Sequence, residues 1–224
     1  MTVMERFPHR LTLVTGHYGV GKTEFSVNLA LALAEEGAAV SLADLDIVNP
    51  YFRSREHRAL LEEAGVRLIA TPQALADADV PALPAELVSV LEDRGVRGVL
   101  DIGGDPSGAR VLARYRPKIL NEDYRLLYLV NAARPEVRTA EKSAACLRDI
   151  EAVTGLRCTG LVNNTHLCSR TGPEDVREGA VLAEEVSRIT GIPLICHVAE
   201  RRLWKQLEDL PLFPVELRMK KPWE

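Results

Sequence analysis

Short apolar runs and amphipathic stretches alternate along the whole chain. The apolar runs are Leu11–Val14, Val40–Ala43, Val66–Ala70, Val99–Ile102, Leu126–Val130, Cys158–Val162 and Ile192–Val198. They are near-continuous rather than alternating, as expected of parallel strands buried on both faces. Helical patterns lie between or after them, over Glu24–Glu36, Ser54–Ala64, Ala85–Arg94, Ser107–Tyr115, Glu136–Val153, Glu174–Thr190 and Arg201–Glu208. Gly37, Gly65, Gly95, Gly155 and Gly191 each follow such a stretch, where a left-handed residue ends a helix. Repeated βα units predict an α/β fold: a mainly parallel twisted sheet in a three-layer α/β/α arrangement. Pro211–Met219 adds a candidate edge strand, since Pro211 and Pro214 argue against any interior place.

No repeat, low-complexity tract or long linker divides the sequence, so residues 1–224 read as a single domain. The one long loop, Thr71–Pro84, suits a lid or contact surface, or else a solvated connector. A net charge of −4 does not indicate nucleic acid as a partner. No apolar run reaches membrane-spanning length and Met1–Arg10 lacks a signal-peptide pattern, so a cytoplasmic protein is expected. Cys146, Cys158, Cys168 and Cys196 are scattered without C-x-x-C spacing, which predicts free thiols. A metal cluster shared across a symmetric dimer is the alternative, with His166 two residues from Cys168.

The chemistry concentrates in Gly16-His17-Tyr18-Gly19-Val20-Gly21-Lys22-Thr23, which fits G-x-x-x-x-G-K-[ST]. Its glycines permit close approach of backbone N–H groups to phosphates, and the following helix adds its dipole. Lys22 is placed for the β- and γ-phosphates and Thr23 for Mg²⁺. The strand Leu11–Val14 before the loop and the helix from Glu24 after it supply the required context. Nucleotide contacts are therefore expected along Gly16–Glu24. A glycine-rich turn without a ligand is the alternative.

Two further strands end in carboxylates. Asp101 opens Asp101-Ile102-Gly103-Gly104, where it suits Mg²⁺ and Gly104 can sense a γ-phosphate; a turn or helix-capping role is the alternative. Asp105 reads as the cap of the Ser107 helix. In Ala43-Asp44-Leu45-Asp46 the two carboxylates are two apart and share one side of a strand. One would orient the Mg²⁺ shell, the metal set being Thr23, Asp44 and Asp101, and the other would position water. Such a like-charged pair is costly without a cation. An exposed acidic turn is the other reading.

Together these segments resemble the MinD/ParA branch of P-loop ATPases. The resemblance extends through Val130-Asn131-Ala132-Ala133-Arg134-Pro135-Glu136, Leu161-Val162-Asn163-Asn164 and Gly191-Ile192-Pro193-Leu194. It implies ATP and Mg²⁺ as cofactors, Asp46 as the residue preparing the hydrolytic water beside Lys22, and Asp101 as the Walker B carboxylate. It also implies a nucleotide-dependent homodimer. That branch carries a second loop lysine that reaches across the dimer; here His17 takes its place and Tyr18 replaces a glycine. A neutral imidazole cannot reproduce a permanent ammonium.

No N-K-x-D segment for guanine is present at Asn163-Asn164-Thr165-His166. Asn163 or Asn164 would either read adenine, by donating and accepting at once, or cap the loop. Two functions compete. One is an ATP-hydrolysing switch acting on a protein partner; the other is a kinase or ligase for a small molecule or polynucleotide. The second would need a substrate site, for which Arg53, Arg55, Arg58, Arg134 and Arg138 are candidates. Asn49–Arg53 is the expected switch segment, with Tyr51 and Phe52 on a partner surface or tucked into the core.

Overall fold

The computed structural model describes residues 1–46, 57–70, 86–104 and 109–218. The Asn49–Arg53 segment, Arg55, the Thr71–Pro84 loop, Asp105 and Trp223 lie outside them.

Eight strands form one sheet: β1 Leu11–Thr15, β2 Val40–Leu45, β3 Val66–Ala70, β4 Arg97–Ile102, β5 Tyr124–Val130, β6 Gly160–Asn163, β7 Leu194–Glu200 and β8 Leu212–Val215. Their order is β3-β2-β4-β1-β5-β6-β7-β8, and every pairing is parallel. The helices are α1 Val3–Arg6, α2 Lys22–Glu35, α3 Arg58–Glu63, α4 Glu86–Glu92, α5 Arg116–Leu120, α6 Ala140–Thr154 and α7 Pro173–Thr190. Two 3₁₀ turns, Val111–Tyr115 and Arg201–Gln206, complete the described elements.

Neighbouring residues along a strand feed different cores. Leu126, Tyr128 and Val130 pack with Leu87 of α4, Leu147 of α6 and Val186 of α7, whereas Leu127 and Leu129 pack with Phe25 of α2 and Leu61 of α3. This yields the three layers expected from the sequence. Phe7 meets Phe25 and Phe213 edge-on, and these two meet at a tilt, beneath the α2 side, which ties α1 and β8 to it.

Several boundaries differ from the sequence reading. Helix α1 follows a capping box, with the Thr2 hydroxyl accepting from Glu5 N–H at 3.1 Å and Glu5 accepting from Thr2 N–H at 2.7 Å. The pattern Thr2-x-x-Glu5 was the available signal for it. Helix α6 starts at Ala140 rather than Glu136 because Thr139 caps it and Arg134–Val137 closes a turn. β8 pairs on one side only, which accommodates Pro214.

The chain leaves β1 between its neighbours β4 and β5, then proceeds through α2 toward β2 on one side. That is a topological switch point, where the carboxyl ends of parallel strands part and leave a crevice. The loops after β1, β5, β6 and β7 open at this end, and Asp46 and Gly104, which follow β2 and β4, lie there too.

Candidate functional site

The loop after β1 turns into α2 through Gly21, which has φ 87° and occupies the N-cap. Lys22 and Thr23 thus form the first turn of a fourteen-residue helix, whose leading amides cannot bond back within the helix. Lys22 Nζ donates to His17 O at 3.3 Å, so the ammonium folds back over its own loop. Gly104 closes on the loop from β4. A Cβ there would overlap Lys22 Nζ and lie 2.8 Å from Gly16 O and 2.9 Å from Tyr18 N. Only glycine allows that approach.

The carboxylates converge by register. Asp44 of β2 and Asp101 of β4 are direct cross-strand partners. Ala43, Leu45, Leu100 and Ile102 face the α4–α7 core, while Leu42 and Val99 face the α2 core. By the strand pleat, Asp44 and Asp101 therefore stand on the α2 side, beneath the loop. Asp44 Oδ1 accepts from Asp46 N–H at 3.2 Å, turning the chain after β2.

Asp101 is wholly buried and neither of its oxygens has a hydrogen-bond partner of regular geometry. Its carboxyl is held well above the usual carboxylate range, first by burial, then by the charges of Asp44 and Asp46. The Thr23 hydroxyl and the Lys22 ammonium pull it back down. The Thr23 influence places hydroxyl and carboxyl near one another even without a well-formed bond. Orphaned carboxylate oxygens beside a hydroxyl, with two more carboxylates nearby, fit a hard divalent cation. Among the described residues no three His, Cys, Asp or Glu side chains are disposed to hold a metal by themselves. That suits Mg²⁺, which takes one or two carboxylates and completes its shell with water and phosphate oxygens.

A cavity of about 530 Å³ opens beside the loop, within the usual range for small-ligand sites. Tyr18, Gly19, Gly21, Lys22, Thr23, Glu24 and Asp46 form one part of its wall, and Arg134, Asn164, Thr165, His166 and Cys168 another, together with Glu200 and Val215. The two parts meet at the loop, where a Cβ on Gly19 would lie 3.4 Å from Arg134 Nε and one on Gly21 2.6 Å from Asn164 Nδ2. Gly16, His17, Val20, Asp44 and Asp101 are not part of the lining; the two carboxylates lie underneath it.

The two asparagines part company. Asn164 reaches the cavity, donating to Val20 O at 2.7 Å, which pins the β6 loop against the phosphate loop. Asn163 does not. Its amide donates to Val176 O at 2.9 Å and lies 3.1 Å from His197 Nδ1, while its Oδ1 accepts from Thr165 N–H at 3.0 Å. It is fully buried and acts as a local brace.

Of the five arginines, Arg134 alone lines this cavity among the described residues. Arg58 pairs with Glu62 on an exposed face of α3, and Arg138 is exposed. The sequence carries no signal for the weight of His166, whose Nε2 is buried and has no hydrogen-bond partner of regular geometry among the described residues. Burial, then the Arg134 charge, push its pKa down to about 4, so the imidazole is neutral near pH 7. The cysteines are free thiols. Burial pushes Cys158 and Cys196 up to about 12, as suits inert core residues.

The family model described as ParA, NUBPL iron-transfer P-loop NTPase, matches residues 6–54, the segment that carries the loop, α2 and the Asp44–Asp46 pair. The septum site-determining protein MinD of Helicobacter pylori (strain ATCC 700392 / 26695) is 27% identical over 212 residues, 85% of this chain and 77% of that protein. The cytosolic Fe-S cluster assembly factor NUBP2 homolog of Culex quinquefasciatus is 40% identical over 48 residues, 21% of this chain and 19% of that protein. Among solved structures, the signal recognition particle receptor FtsY from Elizabethkingia anophelis, in complex with GDP, superposes with a TM-score of 0.53 at 18% identity. That likeness covers 91% of this chain and 60% of FtsY, and bears on the fold alone.

Proposed function

We propose that this chain, a P-loop NTPase of the MinD/ParA type, binds ATP with Mg²⁺ and hydrolyses it as a switch acting on a protein partner. The observation that carries the reading is the stacking of Asp101 and Asp44, in register, beneath Lys22 and Thr23. A buried acidic cluster of that kind has no structural use of its own and is costly without a cation.

In this reading the loop amides and Lys22 hold the β- and γ-phosphates, while Thr23 and Asp101 hold the metal with Asp44 behind them. Bound Mg²⁺ would neutralise charge on the phosphate oxygens. Asp46, at the cavity wall, orients the attacking water. Gly104 N–H lies close enough to the loop to respond to the γ-phosphate. Asn164, with its amide already committed to Val20 O, presents its carbonyl oxygen to a ligand donor such as the adenine amino group.

ATP turnover by the purified protein, with and without Mg²⁺ and with no acceptor added, tests the proposal. Mg²⁺-dependent release of inorganic phosphate is expected. Turnover that requires an added acceptor would instead favour the kinase or ligase reading.

A further inference from the structure

We infer that Arg134 is a catalytic arginine supplied by the chain to its own site, reaching over the phosphate loop to stabilise the charge that develops during hydrolysis. The inference rests on the ATPase reading above and adds a residue to it.

The charge inventory of the cavity raises the question. Among the described lining residues, Lys22 and Arg134 are the only permanent cations, against Glu24, Asp46 and Glu200. Within the loop itself His17 is an imidazole, so Lys22 is its one permanent cation. Arg134 sits where a second cation would serve. A Cβ on Gly19 would lie 3.4 Å from its Nε and 3.5 Å from its Cζ, so the guanidinium lies directly over the middle of the loop. Its Nε is buried with no hydrogen-bond partner, and no salt bridge engages the residue among the described ones. A buried donor left unmade is costly unless something else receives it.

The loop that carries Arg134 is fixed. Arg134 N–H donates to Asn131 O at 3.2 Å, and Val137 N–H to Arg134 O at 3.1 Å. Asn131 is fully buried and accepts from Ala133 N–H at 3.0 Å; Ala132 N–H donates to Thr165 Oγ1 at 3.0 Å. Val137 plugs the α2-side core. The backbone that carries the guanidinium is therefore pre-placed beside the loop, which limits the reorganisation needed at the moment of reaction. In the step itself, water forms a bond to the γ-phosphorus as the bridging P–O bond breaks and ADP leaves with the electron pair. The proton of the water passes to the phosphate product and solvent. Arg134 takes no proton and only donates hydrogen bonds to the phosphate oxygens.

The test compares wild type with Arg134→Ala and Arg134→Lys, measuring ATP affinity and single-turnover hydrolysis under saturating ATP. Arginine fingers contribute ~10³–10⁵ in rate, so Arg134→Ala should hydrolyse at least ~10³-fold more slowly while holding ATP within a few-fold. Arg134→Lys should recover little, since lysine lacks the planar fork. Free guanidinium at millimolar level should restore part of the Arg134→Ala rate, which a merely structural role would not permit. Unchanged hydrolysis in Arg134→Ala overturns the inference alone. So does recovery of the rate when Arg134→Ala is mixed with Lys22→Ala, because the cation would then come from a second copy. If wild type neither binds nor hydrolyses ATP, the ATPase reading itself fails. Should Arg134→Ala not fold, Arg134→Lys and Arg134→Gln carry the same comparison.

Discussion

At the phosphate end of the cavity, Lys22, Thr23, Asp44, Asp46 and Asp101 come from three adjacent strand ends, β1, β2 and β4, and are buried with 7% exposure or less. On the other wall, Arg134, Asn164, His166 and Cys168 come from the loops after β5 and β6, whose backbone is set by tertiary hydrogen bonds rather than by sheet register. The first end is acidic and electrostatically strained; the second is mixed and held in place by hydrogen bonds. The crowding of carboxylates at the first fits the proposed cation. Rigidity at the second is what a positioning surface requires.

A large effect on both binding and turnover should come from the loop cation. Lys22→Ala removes the ammonium held over the loop by His17 O, and ATP turnover should fall by ~10²-fold or more, the range for losing one preorganised electrostatic partner. A steady-state assay at saturating ATP checks this, and unchanged affinity and turnover would remove the phosphate-loop assignment.

Asp101→Asn should separate stability from binding. The Asp101 carboxyl has its folded pKa raised, so its contribution to stability is complete below the ordinary aspartate value and is lost as pH rises through the folded pKa. The nucleotide-free protein should therefore melt higher at pH 7 once Asn replaces the buried ionisable carboxyl, while the extra stabilisation by Mg²⁺ with ATP disappears. Thermal melting with and without ligand reads both. A variant that melts lower without ligand, or still gains from Mg²⁺ with ATP, would mean that Asp101 is a structural brace.

A smaller effect is expected at the opposite end. His166 has its folded pKa lowered to about 4, so its contribution is present above its ordinary value of 6.5 and is lost as pH falls toward 4. His166→Gln should flatten that acid limb, by on the order of 2 kcal/mol at pH 4 after allowance for partial exposure. Urea unfolding at pH 7 and pH 4.5 measures it. Parallel pH profiles for the two proteins would show that the imidazole is not held neutral in the folded state.

The same contrast explains what the sequence made legible. The phosphate end is written in consecutive residues at strand ends, so Gly16–Thr23, Asp44-Leu45-Asp46 and Asp101 could be read by spacing, and the pleat then placed the carboxylates together. The strand–helix alternation was equally local, and the three-layer fold followed from it. The other end depends on tertiary contacts. Nothing in Asn163-Asn164 distinguishes the residue braced against Val176 O from the one that faces the cavity. Arg134 was one arginine among five until the turn at Asn131–Val137 displaced the start of α6 and aimed it over Gly19. His166 carried no periodic signal, because its neutral state is produced by burial and by Arg134, which lies 32 residues earlier.

In the proposed function this cavity binds ATP, and Asp46 at its wall serves hydrolysis rather than binding. ATP affinity and single-turnover hydrolysis of Asp46→Ala, measured side by side, separate the two roles. Affinity is expected within a few-fold of wild type and hydrolysis slower by ~10²–10⁴-fold, the range for a lost general base or water-positioning group, so that the variant is isolated with ATP intact. Loss of ATP binding, or hydrolysis that continues at the wild-type rate, would contradict this reading.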